Sequence, residues 1–570
     1  VKPFLVTSLQ AAKMPRWLLL PLCVLYVVPG LIGRDPWRAE DAAGFGIAWT
    51  MARAERGGAD WLMPNVVGLP VTEEGPLPFW LGAIAIRALP FLEADTAVRG
   101  VAMAWLTLFL VCLWYATWFL ARRPEAQPAD PFGASASRSD YGRAIADSTL
   151  LLTMATFGLL ARAHETTAES AQVAWIGVFL FGCALALERP RLGGAIAGLA
   201  VGLTVLSRGI PTAVALSVVA LLLAARIDGF RLVARPMVAA FLPVALALAL
   251  AWPIALSQAG PAGAEHLDAW LGWNRGLVRG PSLQNAAYAI ETVPWFFWPA
   301  WPLAGWALWR WRERRLAPAL AVPAVSLAAL GLVAMLSPLG GESILLPLVP
   351  AVAILGALAL PTIHRTMTSV IDWFAVMTFT LTGAALWAYW IAFQTGWPPR
   401  MAFRAQRSVL GFEPEIDLLE VLVGALVTLA WLGLVAWRVS RQPRVLWRPV
   451  ILSSGGMVLA WCLLMTLWLP AGNHRKTYRD VAQQAGVVVS PAHVCVSTLG
   501  VDVAQRASFA YFGRLRLDDA RNDCDWLLVA DRVSAPIDPS LVRGAWREAW
   551  RGQRPADRQD QFRLFRRVAG

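Results

Sequence analysis

The chain has 570 residues, of which 57% are hydrophobic and only 15% charged, and its mean hydropathy is +0.52. A typical soluble domain carries about 25% charged residues, so an ordinary soluble protein is excluded. The net charge of +12 does not mark a nucleic-acid binder. The arginines fall in short loops between apolar segments, where the positive-inside rule places them.

Apolar stretches run over 16–33, 97–121, 144–162, 169–187, 192–207, 209–225, 236–257, 292–309, 318–337, 343–361, 371–393, 417–437 and 449–470. A helix needs about 20 apolar residues to span a bilayer, so the pattern predicts a polytopic all-α membrane protein with about thirteen transmembrane helices. The first stretch follows basic residues, but no small-x-small cleavage site comes after it, and it reads as an uncleaved anchor. The stretches 192–207 and 209–225 are short and meet at Ser207-Arg208-Gly209-Ile210-Pro211. Alternate connections carry the cations, among them Arg122, Arg123, Arg189, Arg191, Arg310, Arg312, Arg438, Arg441 and Arg444. That side is cytoplasmic, and residues 124–140 read as a flexible loop on it. The opposite side holds the 34–96, 258–291 and 394–416 loops and the tail from about 471. The thirty tryptophans, including the Trp295–Trp301 cluster, suit aromatic belts.

Within the 34–96 loop, residues 42–56 and the run from Pro78 to Leu92 are apolar but too short to span, which suits helices lying in the interface. The chain therefore divides into a membrane domain, 1–470, and a small α/β domain, 471–570. In the tail the pattern predicts a helix over Tyr478–Gly486 and strands at Val494–Ser497, Trp526–Ala530 and Phe562–Val568. Cys495 and Cys524 each sit beside a strand; in an oxidising compartment they form a disulfide, the alternative being two buried thiols. The other four cysteines, Cys23, Cys112, Cys183 and Cys462, lie in apolar segments as small buried residues.

The residues most suited to chemistry are acids at the membrane boundary. Glu40-Asp41 follows the first apolar segment, and Val71-Thr72-Glu73-Glu74-Gly75-Pro76-Leu77 comes before the second interfacial run. Carboxylates there are costly unless something uses them. A lipid-linked phosphate presents its headgroup at this depth. Transfer from it needs a carboxylate to take a proton from an acceptor hydroxyl, and a cation or metal for the departing phosphate. The plainer reading makes Glu40 and Asp41 helix-start acids, and Glu73 and Glu74 solvated loop acids. Arg208 is either a phosphate ligand or a snorkelling anchor. His164, Glu165 and Glu169 lie in a short outer loop and read as solvated charge. His266, Asp268, Asn274, Arg275 and Arg279 in the 258–291 loop are either substrate contacts or surface helix. Glu342, in Gly340-Gly341-Glu342-Ser343, faces the same side.

Taken together, Glu40-Asp41, Asp60-Trp61-Leu62-Met63-Pro64, Gly68-Leu69-Pro70 and Glu73-Glu74-Gly75-Pro76-Leu77-Pro78-Phe79-Trp80 resemble the first periplasmic loop of GT-C glycosyltransferases. The resemblance is to the aminoarabinose (lipid A) transferase and protein O-mannosyltransferase superfamily. That group has an acidic pair, a Trp-x-x-Pro step and a Glu-Lys-Pro-Pro-Leu-like run. Ser207-Arg208-Gly209-Ile210-Pro211 is similar to its Thr-Lys-Gly-Pro, and Ser343-Ile344-Leu345-Leu346-Pro347-Leu348 to its Tyr-Leu-Leu-Pro run. The resemblance covers most of 16–361. It implies a multi-pass enzyme of the bacterial inner membrane with its active site and C-terminal domain in the periplasm. Such an enzyme transfers a sugar from an undecaprenyl-phosphate-linked donor to a lipid A, glycan or protein acceptor. It implies Glu40 and Asp41 as catalytic acids, with Glu73, Glu74 and Arg208 near the donor phosphate and Glu169 in support; Arg275 and Glu342 are further candidates for donor-phosphate or substrate binding by their loop positions. The chain departs from the pattern in two ways. The pair is Glu-Asp rather than Asp-Glu, so either acid can be the base. Glu74 replaces the family's Lys, which implies either a divalent metal held by Glu73, Glu74 and the first pair, or a changed substrate. The competing reading is a transporter or flippase for lipid-linked sugars, which calls for acids inside the spans and paired broken helices.

Overall fold

A computed structural model describes residues 6–128, 135–281, 283–338, 341–441, 445–489, 494–518, 524–532, 546–554 and 560–568. Arg444, Gly340 and residues 129–134 of the 124–140 loop lie outside the described residues. Among the described residues, eight helices are long and apolar enough to cross a membrane: Ala94–Ala121, Ala168–Ala186, Pro190–Ser207, Ala234–Gln258, Pro318–Leu336, Glu342–Thr362, Thr366–Thr395 and Leu418–Ser440. Arg448–Leu464 and Leu469–Lys476, bent by 66° at a short break, make a ninth if they count as one span. The protein is a multi-pass membrane protein.

About thirteen spans were expected from segment length, and the difference has local causes. The helix in 16–33 stops at Val27, and the chain turns through Gly30 and Gly33 at positive φ. The 144–162 segment breaks at Thr156 into Arg138–Ala155 and Phe157–Arg162. The 292–309 segment breaks at Pro299, between Phe296 and Ala300. Ile210–Arg226 has only 17 residues. Apolar length alone does not see such breaks.

The helices also bury more acid than the sequence pattern implied. Asp147, fully buried, accepts from Trp114 Nε1 at 2.8 Å, Met14 N at 3.0 Å and Arg16 Nη1 at 3.3 Å. Asp372 is paired with Arg438. Each acid is matched by donors, as a buried charge must be.

Glycines let the helices meet backbone to backbone, the usual device where apolar burial cannot drive association. A Cβ on Gly193 would lie 2.2 Å from Ala186 N, and one on Gly194 2.2 Å from Met237 O.

The elements that frame the site are α1 (Glu40–Arg53), α2 (Leu77–Ala88), α3 (Ala168–Ala186), α4 (Pro190–Ser207), α5 (Ile210–Arg226) and α6 (Gly260–Gly276). The helices α1 and α2 fall where the interfacial runs were expected. Between them the strands β1 (Asn65–Val66) and β2 (Leu69–Pro70) form a tight hairpin. Its two turn residues, Val67 and Gly68, both have positive φ, the geometry that matches strand twist. Gly44 and Gly46 let α1 pack closely on two sides: a Cβ on Gly44 would meet Thr166 O at 2.1 Å, and one on Gly46 would meet Ala507 Cβ at 2.4 Å.

The tail adds α7 (Arg479–Val488), α8 (Val503–Tyr511) and a mixed five-stranded sheet in the order β4-β3-β5-β7-β6. Its strands are β3 (Cys495–Leu499), β4 (Arg516–Leu517), β5 (Trp526–Arg532), β6 (Trp546–Gln553) and β7 (Asp560–Arg567). The strand β3 pairs parallel with β4 and β5, and β7 pairs antiparallel with β5 and β6. The sequence pattern missed the two-residue β4, β6, which carries Arg547, Glu548 and Arg551 in place of an apolar run, and α8.

Polar contacts clamp this sheet domain onto the first loop. Arg506 donates to Val67 O at 2.7 and 3.0 Å. Arg479 grips Asp35 with two bonds, 2.5 and 2.9 Å. Asn473 accepts from Asp35 N and Trp37 Nε1 and donates to Gly33 O.

Cys495 and Cys524 are joined by a disulfide that closes a loop with a sequence separation of 29. A loop of that length restricts the unfolded chain by about 3 kcal/mol. The double substitution Cys495→Ser/Cys524→Ser is expected to lower the unfolding midpoint of the sheet domain by about that free energy. Midpoints under oxidising and reducing conditions check it: wild type should respond to reductant and the variant should not.

Candidate active site

Neighbouring residues on a helix point about 100° apart, and the first turn of α1 uses this to separate the acidic pair. Asp41 is buried and its oxygens are fully engaged. Oδ2 accepts from Arg34 Nη2 at 2.7 Å and Trp37 N at 3.1 Å; Oδ1 accepts from Thr166 N and Thr166 Oγ1, each at 2.7 Å. Burial alone would push its carboxyl up. The Arg34 and Arg99 guanidiniums and the bonds from Arg34 and Thr166 overcome this and hold it at about 2. Glu40 faces outward with 63% of its side chain exposed, and its Oε2 accepts from Arg162 Nη1 at 3.1 Å.

Arg162 is the hub of a second cluster. Its guanidinium pairs with Glu40, with Glu165 at 3.2 Å and with Glu342 at 3.7 Å. Glu342 thus joins Glu40 on the same cation, as its loop position suggested. Burial pushes the Glu165 carboxyl up to about 7 against the pull of Arg162. Its neighbour His164 is a buried structural residue rather than solvated charge. The ring lies within reach of Leu160 O at 2.6 Å and Tyr26 O at 2.8 Å, and burial holds it down near 4.

Arg208 anchors the third group. It ends α4 and pairs with Glu74 and, at 3.3 Å, with Glu169 Oε1. Glu169 is buried, so it is not solvated loop charge, and its Oε2 has no partner among the described residues. Two backbone features set this pairing. Gly75 N donates to Ser207 O at 2.9 Å, and a Cβ on Gly75 would meet Leu206 O at 2.2 Å, so only glycine lets the loop approach α4. Glu74 itself sits at φ 70. Burial raises its carboxyl, with Glu169 and Glu73 adding to the effect and Arg208 opposing it, to about 7. Beside Arg208 an apolar cleft opens between α5 and the helix Pro318–Leu336, lined by Pro211, Leu277, Leu330, Val333, Ile344 and Pro347.

The remaining expected residues lie apart from this arrangement. Glu73 is exposed, with no hydrogen bond or ion pair among the described residues. Arg275 is likewise exposed and joins neither guanidinium cluster. Its neighbour Asn274 faces inward instead: Oδ1 accepts from Ile210 N at 2.7 Å and so caps α5. His266 is buried among Trp252 and Trp270.

Among the described residues no three His, Cys, Asp or Glu side chains gather closely enough to hold a metal ion. Glu74 is directed to Arg208 instead.

Sequence reasoning missed Arg34, Asp35, Arg99, Arg162 and Thr166. Arg162 carried a usable signal, a lone cation at the end of the 144–162 apolar segment opposite Arg138 and Arg143. Thr166 carried none. The assembled site has two guanidiniums, Arg162 and Arg208, facing five carboxylates, Glu40, Glu74, Glu165, Glu169 and Glu342. It is acidic overall, exposed at Glu40 and bordered by apolar surface.

No family model matches the sequence, and no curated relative does either. The fold does have solved counterparts. The crystal structure of ArnT from Cupriavidus metallidurans bound to undecaprenyl phosphate superposes with a TM-score of 0.67 at 14% identity, over 96% of this chain and 97% of that one. The same protein in the apo state gives 0.65 at 14% identity, over 96% of each chain. The likeness runs almost end to end through membrane helices and sheet domain alike. The chain has the GT-C glycosyltransferase fold.

Proposed function

We propose that the protein is a glycosyltransferase of the bacterial inner membrane that takes a sugar from a polyprenyl-phosphate-linked donor and passes it to an acceptor at the periplasmic face. The observation that carries this reading is Arg208, a guanidinium at a helix end, set between an apolar cleft and a group of carboxylates. The apolar wall of this small cleft suits the first isoprene unit of a lipid tail, whose phosphate would then reach Arg208. The full-length fold likeness to ArnT, solved with undecaprenyl phosphate, supports the same ligand class. The concentration of arginines in the opposite set of loops supports a site on the outer side of the membrane.

In the reaction, an acceptor oxygen attacks the anomeric carbon while the bond from that carbon to the phosphate oxygen breaks. The leaving phosphate gains negative charge, which Arg208 meets with a two-pronged contact. Of the opening pair, Glu40, exposed and held through one oxygen by Arg162, takes the acceptor hydroxyl proton; Asp41, with a low pKa and every lone pair engaged, holds the helix. An acceptor phosphate would already be ionised and would need positioning only. The acceptor is a lipid, a glycan or a protein. No step is routed through a metal. Inversion at the anomeric carbon is what the GT-C resemblance implies.

Reconstituted membranes supplied with an undecaprenyl-phosphate sugar test the roles of the acids. Glu40→Gln is expected to lower kcat by about 10²- to 10⁴-fold, the range for loss of a general base. Asp41→Asn is expected to fail differently, because removing one partner of a buried pair costs about 3–5 kcal/mol; folded yield and unfolding midpoint fall first. Full turnover in Glu40→Gln contradicts its role as the base.

The charge balance gives a pH dependence. Below about 7 Glu74 is neutral and Arg208 has lost its nearest anionic partner; above it Glu74 is ionised and competes with the donor phosphate. The donor KM is therefore expected to rise as pH increases through that value. Glu74→Gln should lower KM at pH 8 by about fivefold, equivalent to about 1 kcal/mol for a partly buried pair, and flatten the profile. An unchanged KM profile in this variant contradicts the pairing.

A further inference from the structure

A large cavity lies away from the acids. A cleft of about 1520 Å³ opens between the far end of α1, the β1–β2 hairpin and the sheet domain. Glu40 and Arg53 are the first and last residues of α1, so a rise of 1.5 Å per residue puts this cleft about 20 Å from the exposed acid. The cavity exceeds the usual range for small ligands, about 300–1,000 Å³.

Its lining combines two chemistries. Trp49, Tyr511 and Phe512 supply half-buried rings, packed edge to face with Trp49–Tyr511 centroids 5.8 Å apart and Tyr511–Phe512 4.9 Å. Arg53, Arg514 and Arg516 supply exposed cations. Arg53 lies over the Trp49 ring at 4.8 Å. Arg514 and Arg516 make no hydrogen bond or ion pair among the described residues. Arg479 also lines the cleft but is committed to Asp35. The acids on the wall are Asp60, which accepts from Asn65 Nδ2 at 2.8 Å, and Glu93. Arginines outnumber them.

The backbone at Arg514 is set by close packing. A Cβ on Gly486 would meet Gly513 O at 2.3 Å, and one on Gly513 would meet Ala482 O at 2.6 Å. The helix α7 and the turn after α8 therefore touch through glycines, and the next residue, Arg514, is fixed at φ 52. A left-handed conformation is unfavourable for a side-chain-bearing residue and persists only where its surroundings impose it.

We infer that this cleft is a binding site for an anionic saccharide, a sugar unit carrying phosphate or carboxylate. Aromatic faces carry negative π density and receive the apolar, weakly positive C–H face of a sugar ring. Unpaired guanidiniums receive the anion with two parallel bonds. A simple ion would leave most of the volume and all of the rings unused. The site goes beyond the transferase reading and does not depend on it. Such a group arrives either as a free glycan or as the headgroup of a lipid.

The test uses full-length protein in nanodiscs with no sugar donor present, so its outcome is independent of turnover. The probes are a phosphorylated glucosamine disaccharide, the same disaccharide without phosphate, and the phosphorylated form carried on acyl chains in the nanodisc. Wild type is expected to bind the phosphorylated form at least about tenfold more tightly than the neutral one. Arg514→Ala/Arg516→Ala should lose at least about tenfold in that affinity with an unchanged unfolding midpoint, since both side chains are exposed. Arg53→Ala, on a different element, should weaken binding in the same direction. Binding of the free disaccharide identifies a glycan source, and binding of the acylated form alone identifies a lipid source. Equal binding of phosphorylated and neutral forms, or undiminished binding by both variants, overturns the inference.

Discussion

The site depends on one buried ion pair. Arg34 and Asp41 have side chains only 1% exposed, and they meet at 2.7 Å at the point where α1 begins. A pair this deep is held only if the remaining lone pairs are filled, and Trp37 N and both donors of Thr166 fill them. The same carboxylate therefore ties the end of the first apolar segment, the start of the interfacial helix and the loop before α3. That loop also carries Glu165, and Arg162 stands at its start. Holding Asp41 inward turns Glu40 outward onto Arg162.

A second constraint is charge balance at a membrane boundary. The resembling family has a lysine where this chain has Glu74. The structure answers the change by directing Glu74 to Arg208 and raising its carboxyl to about 7. The acid and the arginine thus form a pair that a competing anion can open. The contact needs Gly75, because any side chain there would collide with the backbone of α4.

Much of this was legible in the sequence because the signals are local. Apolar length gave the membrane class, and the short runs around 42–56 and 78–92 gave α1 and α2. Three strands of the tail showed as apolar or alternating runs, and Cys495 and Cys524 flanked two of them. Other features depend on distant partners. The number of full spans turned on breaks at Thr156 and Pro299 within apolar segments. Glu40 and Asp41 looked equivalent until helix phase separated them. Arg162, Thr166 and Asp35 acquire meaning only from residues far away in sequence, and Arg275 drew attention by charge where Asn274 makes the contact. The strand β6 was hidden by its charged residues.

The sheet domain is best understood as part of the active-site frame. Arg506 and Arg479 bind it to the hairpin and to Asp35, next to the central ion pair. The account turns on Arg208 as the receptor for a lipid-linked phosphate. Native mass spectrometry of wild type and Arg208→Ala, each reconstituted with undecaprenyl phosphate, measures this directly. Wild type is expected to retain one lipid phosphate and the variant to lose at least about tenfold in affinity, the scale of a bidentate charge-assisted contact. Equal retention by both proteins would contradict the account.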